Sequence, residues 1–227
     1  MYSFPPLAAA ITGLYTIVTG LTTLLTPALG PLSASAAIIA LTIGIRLLLV
    51  PLARKQAAAD RRRRDLAPKL REIQVRYRSN PERLRRELTD FYAREGTTPL
   101  AGIGPSLAQA PVFIAMYGLF LSTDVGGQTN DLLTNTLFGV PLGARLFEVS
   151  GAELAVFAGL IALLAAVAWG MWRLVSTRTS VEAPGASVIR LLPFATVIIA
   201  AFVPLAAGIY LLTTTAWTLA ERMILMS

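Results

Sequence analysis

The sequence predicts an all-α integral membrane protein with five transmembrane helices and a helical hairpin outside the membrane. Of its 227 residues, 55% are hydrophobic, and the mean hydropathy is +0.63. Only 15% are charged, whereas a typical soluble domain has about 25%. The apolar residues fall into long blocks, and most of the basic residues lie between two of them.

The apolar blocks set the number of spans, because a transmembrane helix needs about 20 residues. Five transmembrane helices are predicted, at residues 33–53, 99–121, 153–174, 187–203 and 205–226. The last two come from one apolar stretch, which we divide at Pro204 because proline removes a backbone donor and ends or kinks a helix. A single kinked helix of unusual length is the alternative.

The basic residues orient the chain. The segment 54–96 holds fourteen Lys or Arg against seven Asp or Glu, whereas Ser122–Glu153 holds one Arg against four acids. By the positive-inside rule, residues 54–96 and the loop 175–186 are cytoplasmic and the loop 122–152 is external. We therefore expect a plasma-membrane protein with an external N-terminus and a cytoplasmic C-terminus.

Residues 1–30 form a further apolar block with a different pattern. Its threonines step by 4, 3, 4 and 3 residues and so share one helical face, at Thr12, Thr16, Thr19, Thr23 and Thr26. This weak amphipathicity suits an external helix that lies in the membrane interface. The alternative is a sixth span that begins in the cytoplasm, because threonine costs little in a membrane.

Segment 54–96 predicts an antiparallel helical hairpin. Apolar residues recur at helical spacing in two arms, and Asn80 followed by Pro81 is a typical helix start. Pro68 is expected to interrupt the first arm. The basic positions that could contact anionic partners are Arg61, Arg62, Arg63, Arg64, Arg83, Arg85 and Arg86. They predict contact with ribosomal RNA or lipid headgroups; a solvated surface that only fixes topology is the alternative.

Arg46 lies inside the first predicted span, where an arginine costs from about 3 to above 10 kcal/mol. Snorkelling is one explanation, because Arg46 precedes Leu52 by about 9 Å of helix rise. The other is a hydrated groove, which is favoured by the expectation that no Asp or Glu lies inside any other span while several polar residues do. The expected groove residues are Arg46, Thr42, Ser106, Gln109, Thr196, Thr213 and Thr214.

The composition argues against several kinds of chemistry. The chain has no His and no Cys, which removes the commonest general base, the commonest metal ligand and any thiolate site. Ser106 has no histidine to activate it, so we expect neither an enzyme nor a cofactor or metal. A small multi-pass transporter or channel remains an alternative, although such proteins often carry internal repeats or paired intramembrane charges that are not visible here.

Three stretches carry a family resemblance over most of the chain: "IALTIGIRLLLVPLARKQ", "LAPKLREIQVRYRSNPERLRRELTDFYAREGTTPLAGIGPSLAQAPVFIAMYGLF" and "LLPFATVIIAAFVPLAAGIYLLTTTAW". They resemble the YidC/Oxa/Alb membrane protein insertase family. The likeness includes the arginine followed by "LLLVPL", the basic hairpin ending in "YAREG", and the spacing from Pro204 to Tyr210. Departures include Leu211 in place of an aromatic residue and Thr214 and Thr215 where Asn is common.

The resemblance implies a fold and a function. It implies five core helices, an N-terminal interfacial amphipathic helix and a cytoplasmic hairpin. It also implies a hydrophilic groove in which Arg46 attracts incoming chains. The expected partners are nascent membrane proteins and the lipid bilayer, with the ribosome and a Sec-type translocon as further candidates and no DNA. The sequence reaches Ser227 without the basic C-terminal tail by which some relatives engage ribosomes, so we do not expect tail-mediated ribosome binding unless the chain continues beyond this residue.

Overall fold

The computed structural model describes residues 5–98, 104–176 and 186–225, and these are mostly helical. Within the described ranges the helices are α1 (Pro5–Leu29), α2 (Ser33–Arg76), α3 (Pro81–Arg94), α4 (Gly104–Leu121), α5 (Glu153–Ser176), α6 (Ala186–Ala200) and α7 (Leu205–Leu225). A 3-10 turn, Gly30–Leu32, joins α1 to α2. Residues 201–204, which include Pro204, separate α6 from α7.

Two of the described helical runs are long and apolar enough to cross a membrane. One is Pro5–Ala59, which contains α1 and the first part of α2, and the other is α5. Shorter apolar helices occupy Ala110–Leu121 and Leu191–Ala200. An all-α membrane protein accounts for these helices, because each keeps its backbone donors and acceptors paired internally as a bilayer requires.

The expectation that Pro68 interrupts a helix was wrong, because α2 continues through both Pro51 and Pro68. A proline deletes one backbone donor and crowds the carbonyl four residues earlier. That loss is local, so a 44-residue helix can persist when the turns on both sides remain hydrogen-bonded.

The segment between α4 and α5 contains two very short β-hairpins. Strands β1 (Asp124–Val125) and β2 (Gln128–Thr129) pair antiparallel, as do β3 (Thr136–Leu137) and β4 (Val140–Pro141). Each hairpin turns on two residues with positive φ, Gly126 and Gly127 in the first and Phe138 and Gly139 in the second. This is the geometry of a type I′ turn, whose twist matches that of paired strands.

The chain divides into two compact units. The first contains Met1–Leu48 and Val112–Ser227, and the second contains Leu49–Pro111. In the first unit α5 packs against both α6 and α7. Gly208 allows the close approach of α7 to α5, since a Cβ atom there would lie 2.5 Å from Leu160 Cδ2. Small residues at such contacts are typical of membrane helix pairs.

The loop 122–152 forms hydrogen bonds with backbone groups at two helix ends of the first unit, which no helical turn pairs. Asn130 is only 2% exposed, and its Nδ2 donates to the carbonyl oxygens of Leu119 and Ser122 at the end of α4. At the start of α7, the backbone N–H groups of Leu205 and Ala206 donate to loop carbonyls, each over 2.9 Å. Helix ends leave such groups unpaired unless another segment binds them, so the loop is an integral part of this unit.

The second unit contains the later part of α2 together with α3. Asn80 caps α3 by accepting a hydrogen bond from the Arg83 backbone over 3.0 Å, and Gly96, with φ of +58°, follows its end. Glu95 contacts α2 twice, through its carbonyl oxygen with Arg62 and through its carboxylate with Lys69, at 3.4 Å. The end of α3 therefore lies beside residues 62–69 of α2.

Candidate functional site

Arg46 of α2 and Thr214 of α7 form the central polar contact of the first unit. The Arg46 Nε donates to the Thr214 hydroxyl oxygen over 2.9 Å, and Nη2 donates to the same oxygen. Nη2 also lies 3.3 Å from the Thr214 carbonyl oxygen. Thr214 is only 8% exposed, and Arg46 is partly buried. A guanidinium group is thus held within apolar helices by one threonine.

The bonding capacity of Arg46 is only partly used by these contacts. A guanidinium has five N–H donors and a full positive charge. Among the described residues, none accepts a hydrogen bond from Nη1, and no carboxylate lies within 4 Å of the guanidinium. The site therefore offers hydrogen-bond donors, and a charge that no close ion pair neutralises, to an acidic or carbonyl-bearing group.

The other predicted groove threonines are bonded to their own helices. Thr42 is 1% exposed and donates to the Ile38 carbonyl oxygen over 2.7 Å. Thr196 donates to the carbonyl of Pro193, and Thr213 to that of Ile209. Such back-bonding is the usual way in which threonine satisfies its hydroxyl inside a helix. Of the predicted residues whose side chains are described, only Thr214 binds Arg46.

Ser106 and Gln109 belong to α4, but their side chains lie outside the described part of the chain. Their place in a groove stays a prediction. Thr213 lies elsewhere, on the wall of an apolar cavity with Ser35. This follows from helix geometry, because adjacent residues point about 100° apart around the axis.

An aromatic cluster next to Thr214 was missed in the sequence. Tyr210 lies one turn before Thr214 and contacts three rings of α4, with centroid distances of 6.2 Å to Phe113, 6.4 Å to Tyr117 and 6.0 Å to Phe120. The signal was available, because 113, 117 and 120 step by four and three residues and so share a helix face. Aromatic rings at these distances attract each other edge to face or offset, so they order this face of α7.

Glu221 lies inside the predicted span 205–226, so the expectation that no acidic residue lies inside another span was wrong. It lies in α7, seven residues after Thr214, and is partly buried. A spacing of seven residues returns to nearly the same helix face. The face of α7 that carries Thr214 thus also carries an acidic residue two turns further along.

The predicted basic surface belongs to the second unit. Arg62 binds the Glu95 carbonyl, and the Arg83 guanidinium lies 5.1 Å from the centre of the Tyr77 ring. Arg61, Arg62, Arg83, Arg85 and Arg86 are all exposed, whereas the side chains of Arg63 and Arg64 lie outside the described residues. These exposed arginines give the second unit positive surface charge, which attracts anionic groups.

Potential metal-ligating side chains do not cluster at the described positions. Within residues 5–98, 104–176 and 186–225, no group of three or more His, Cys, Asp or Glu side chains could hold a metal ion. The arrangement around Arg46 can bind and orient charge, but it offers no nucleophile paired with a base.

Comparison with known proteins places these features in a family. Residues 24–227 match the model of the family described as 60Kd inner membrane protein. The chain is 31% identical to the "Membrane protein insertase YidC" of Streptomyces avermitilis over 82% of its own length. It is 40% identical to the protein of that name in Oceanobacillus iheyensis over 38% of its length. With the "Inner membrane ALBINO3-like protein 2, chloroplastic" of Chlamydomonas reinhardtii it shares 37% identity over 49% of its length.

The chain spans 49% of the Streptomyces relative, 36% of the Oceanobacillus relative and 25% of the Chlamydomonas relative. The family match covers most of this chain, including Arg46, the second unit and the whole of α7. The protein therefore belongs to the 60Kd inner membrane protein family, the YidC/Oxa/Alb family.

Proposed function

We propose that this protein is a membrane protein insertase, which helps newly made chains move from water into the lipid bilayer. The observation that carries the proposal is the set of groups that surround and bind Arg46. It lies in an apolar helix, binds only Thr214 among the described residues, and has no carboxylate within 4 Å among them. The names of its relatives in Streptomyces and Oceanobacillus support the same activity.

The physical argument concerns the barrier to moving a polar segment through hydrocarbon. A charged side chain at the bilayer centre costs several kcal/mol or more. A hydrated groove shortens the apolar path, and a fixed guanidinium offsets part of the desolvation of each carboxylate that passes. Such assistance needs no covalent step and no cofactor.

We propose that the groove is centred on Arg46 and Thr214, with Thr42 beneath them and Tyr210 at its edge. Thr214 fixes the guanidinium by binding two of its nitrogens, which leaves Nη1 for an incoming group. The aromatic contacts of Tyr210 keep α7 in place while a client passes. Thr196 and Thr213 have hydroxyls bonded to their own helices, and they would contribute only as acceptors.

The proposed architecture follows the sequence prediction. Five spans form the bundle, α1 lies in the external interface, and the later part of α2 pairs with α3 as a cytoplasmic hairpin. The N-terminus is external, the C-terminus is cytoplasmic, and the membrane is the plasma membrane. The excess of basic residues in the segment 54–96 supports this orientation.

The proposed partners are nascent membrane proteins and the surrounding lipid, with the ribosome and a Sec-type translocon as further candidates. The exposed arginines of the second unit support contact with anionic surfaces, since clustered positive charge attracts RNA and acidic headgroups.

Reconstitution tests the activity directly. Purified protein in liposomes should integrate a short single-span client in the absence of nucleotide, as measured by protection of the client from protease. Protein-free liposomes and liposomes with an unrelated multi-pass protein serve as controls. Client protection equal to both controls would refute the proposal, and solute flux through the same vesicles would instead favour a transporter or channel.

A further inference from the structure

A second cavity, separate from the Arg46 site, lies in the first unit between α2, the β3–β4 hairpin, α5 and α7. Its volume is about 430 Å³. The lining side chains are apolar apart from the hydroxyls of Ser35 and Thr213, and none of them is charged. Ile39, Phe138 and Leu163 line it and are also exposed, so the cavity reaches the outer surface of the helices.

The two hydroxyls of the cavity differ in one respect. Thr213 donates to the Ile209 carbonyl oxygen over 2.9 Å. Ser35 is only 4% exposed, and its Oγ is buried without a hydrogen-bond partner among the described residues. Nearly all buried hydroxyls in proteins have a partner. Ser35 therefore has an unused donor and acceptor next to an apolar cavity, and a rotation about its χ1 bond is needed to turn the hydroxyl toward a ligand there.

The position of Ser35 gives the cavity a polar end and an apolar end. Ser35, Ala155 and Leu205 belong to the first turns of α2, α5 and α7, near the loop 122–152. From there the lining continues to Leu163 and Thr213, eight residues further along α5 and α7, which corresponds to about 12 Å of helix rise. A ligand that fits would carry a polar group near the loop and hydrocarbon below it.

We propose that this cavity binds one hydrocarbon chain of an ester-linked membrane lipid, with the ester carbonyl accepting a hydrogen bond from Ser35. The lipid surrounds the protein, and the cavity reaches the surface that faces it. The absence of charge from the lining excludes a charged headgroup from the interior. This site is distinct from the proposed insertase groove and does not depend on that activity.

The size of the cavity favours a lipid chain over a client helix. A helix with its side chains is about 10–12 Å wide, and a span needs about 20 residues. The cavity volume of 430 Å³ instead falls in the range of about 300–1,000 Å³ that is typical of small-molecule sites.

Phe138 lies at the mouth of the cavity and supports lipid binding there. It occupies the first position of a type I′ turn with φ of +51°, which is uncommon for a bulky residue and favours Asn or Gly. Its ring lines the cavity and is 75% exposed. An apolar ring held there in spite of the backbone preference suits contact with a hydrocarbon chain.

Photocrosslinking in vesicles tests the proposal. The full chain is reconstituted with a trace of phosphatidylglycerol whose acyl chain carries a diazirine, and the crosslinked residues are mapped by peptide mass spectrometry. We expect labelling of the cavity wall at Ile39, Leu163 or Leu212. Ile198, which is exposed and does not line the cavity, provides the internal reference for contact with bulk lipid.

Gly159→Leu should close the cavity. Gly159 lines it, and a Cβ atom added there has no heavy atom within 4 Å. Gly20→Leu is the matched control, since Gly20 has equally open surroundings and does not line the cavity. We expect wall labelling relative to Ile198 to drop in the first variant and to stay at the parental level in the second. Equal wall labelling in all three proteins would overturn the proposal.

Ser35→Ala tests the polar contact without filling the cavity. Wall labelling by the ester-linked probe should fall roughly 2- to 10-fold, the effect of one neutral hydrogen bond, and an ether-linked probe should not distinguish the variant from the parent. The Ser35 contact is refuted if both probes respond alike. Labelling of the wall by a stalled client in place of lipid would refute lipid as the occupant.

Discussion

The Nε atom of Arg46 lies 2.9 Å from the hydroxyl oxygen of Thr214, across 168 residues of sequence. This contact joins α2 to α7 through a charged donor and a neutral acceptor. A hydrogen bond from a charged donor is stronger than a neutral one, but a single hydroxyl does not neutralise a guanidinium. The remaining charge is the basis of the proposed attraction between Arg46 and acidic clients.

Substitutions at Arg46 should alter client preference. We expect Arg46→Ala to lower insertion of clients with acidic translocated segments by roughly 10-fold, which corresponds to about 1.4 kcal/mol of the barrier. Arg46→Lys should retain much of the activity because it keeps the charge, and Arg46→Glu should be worse than Arg46→Ala. The measurement is the ratio of acidic to neutral client insertion, with clients that differ only in Asp and Glu. A snorkelling anchor would leave that ratio unchanged in all three variants.

Thr214 and Thr213 provide a matched pair of adjacent threonines. Thr214→Val removes the hydroxyl acceptor of Arg46 and should destabilise the protein by about 1–3 kcal/mol. Thr213→Val removes a hydroxyl that bonds only its own helix, so the effect should be smaller. Unfolding in mixed detergent micelles gives both stabilities. If the two variants unfold alike, the Arg46 contact does not contribute to stability.

Asn130 should be a stability determinant. Asn130→Ala leaves the carbonyl oxygens of Leu119 and Ser122 without their donor, and we expect a loss of about 1–3 kcal/mol. Asn130→Asp should cost more, because it would bury an ionised carboxylate, which cannot donate, against two carbonyl oxygens. Asn135→Ala is the control, since Asn135 is more exposed and binds only within its own loop. If Asn135→Ala unfolds at a lower temperature than Asn130→Ala, this role is contradicted.

The second unit should be needed for activity but not for folding of the first. Deletion of residues 61–94 removes much of a separate compact unit, so the first unit should keep its thermal unfolding transition while client insertion falls. The combined change of Arg85 and Arg86 to Gln tests whether charge alone is responsible. Full insertion activity after the deletion would reduce the segment to a topology signal.

Single cysteines can determine the topology, because the chain contains none. Probes at Ser3 and Thr134 should react with an impermeant maleimide from outside the cell, whereas a probe at Thr89 should react only after the membrane is opened. Thr134 and Thr89 are exposed. Labelling of Ser3 only from the cytoplasm would favour six spans over an interfacial helix.

Much of the architecture was readable from the sequence, because hydropathy and charge act over whole segments. The apolar blocks and the basic segment 54–96 predicted a helical membrane protein, and the capping residues Asn80 and Pro81 marked the start of α3. The rule that proline interrupts a helix failed at Pro68, because a long helix tolerates the loss of one backbone donor.

The sequence by itself determined that this is a membrane protein and that one of its apolar helices carries a charged residue, Arg46. Only the tertiary structure decided which of several threonines binds that charge. Thr213, Thr214 and Thr215 are chemically identical, and the rotation of α7 against α2 brings Thr214 alone to Arg46. The same packing places Ser35 and Thr213 on an apolar cavity and joins the loop 122–152 to α4 and α7. Contacts between residues far apart in sequence depend on helix rotation and loop path, which no local pattern specifies.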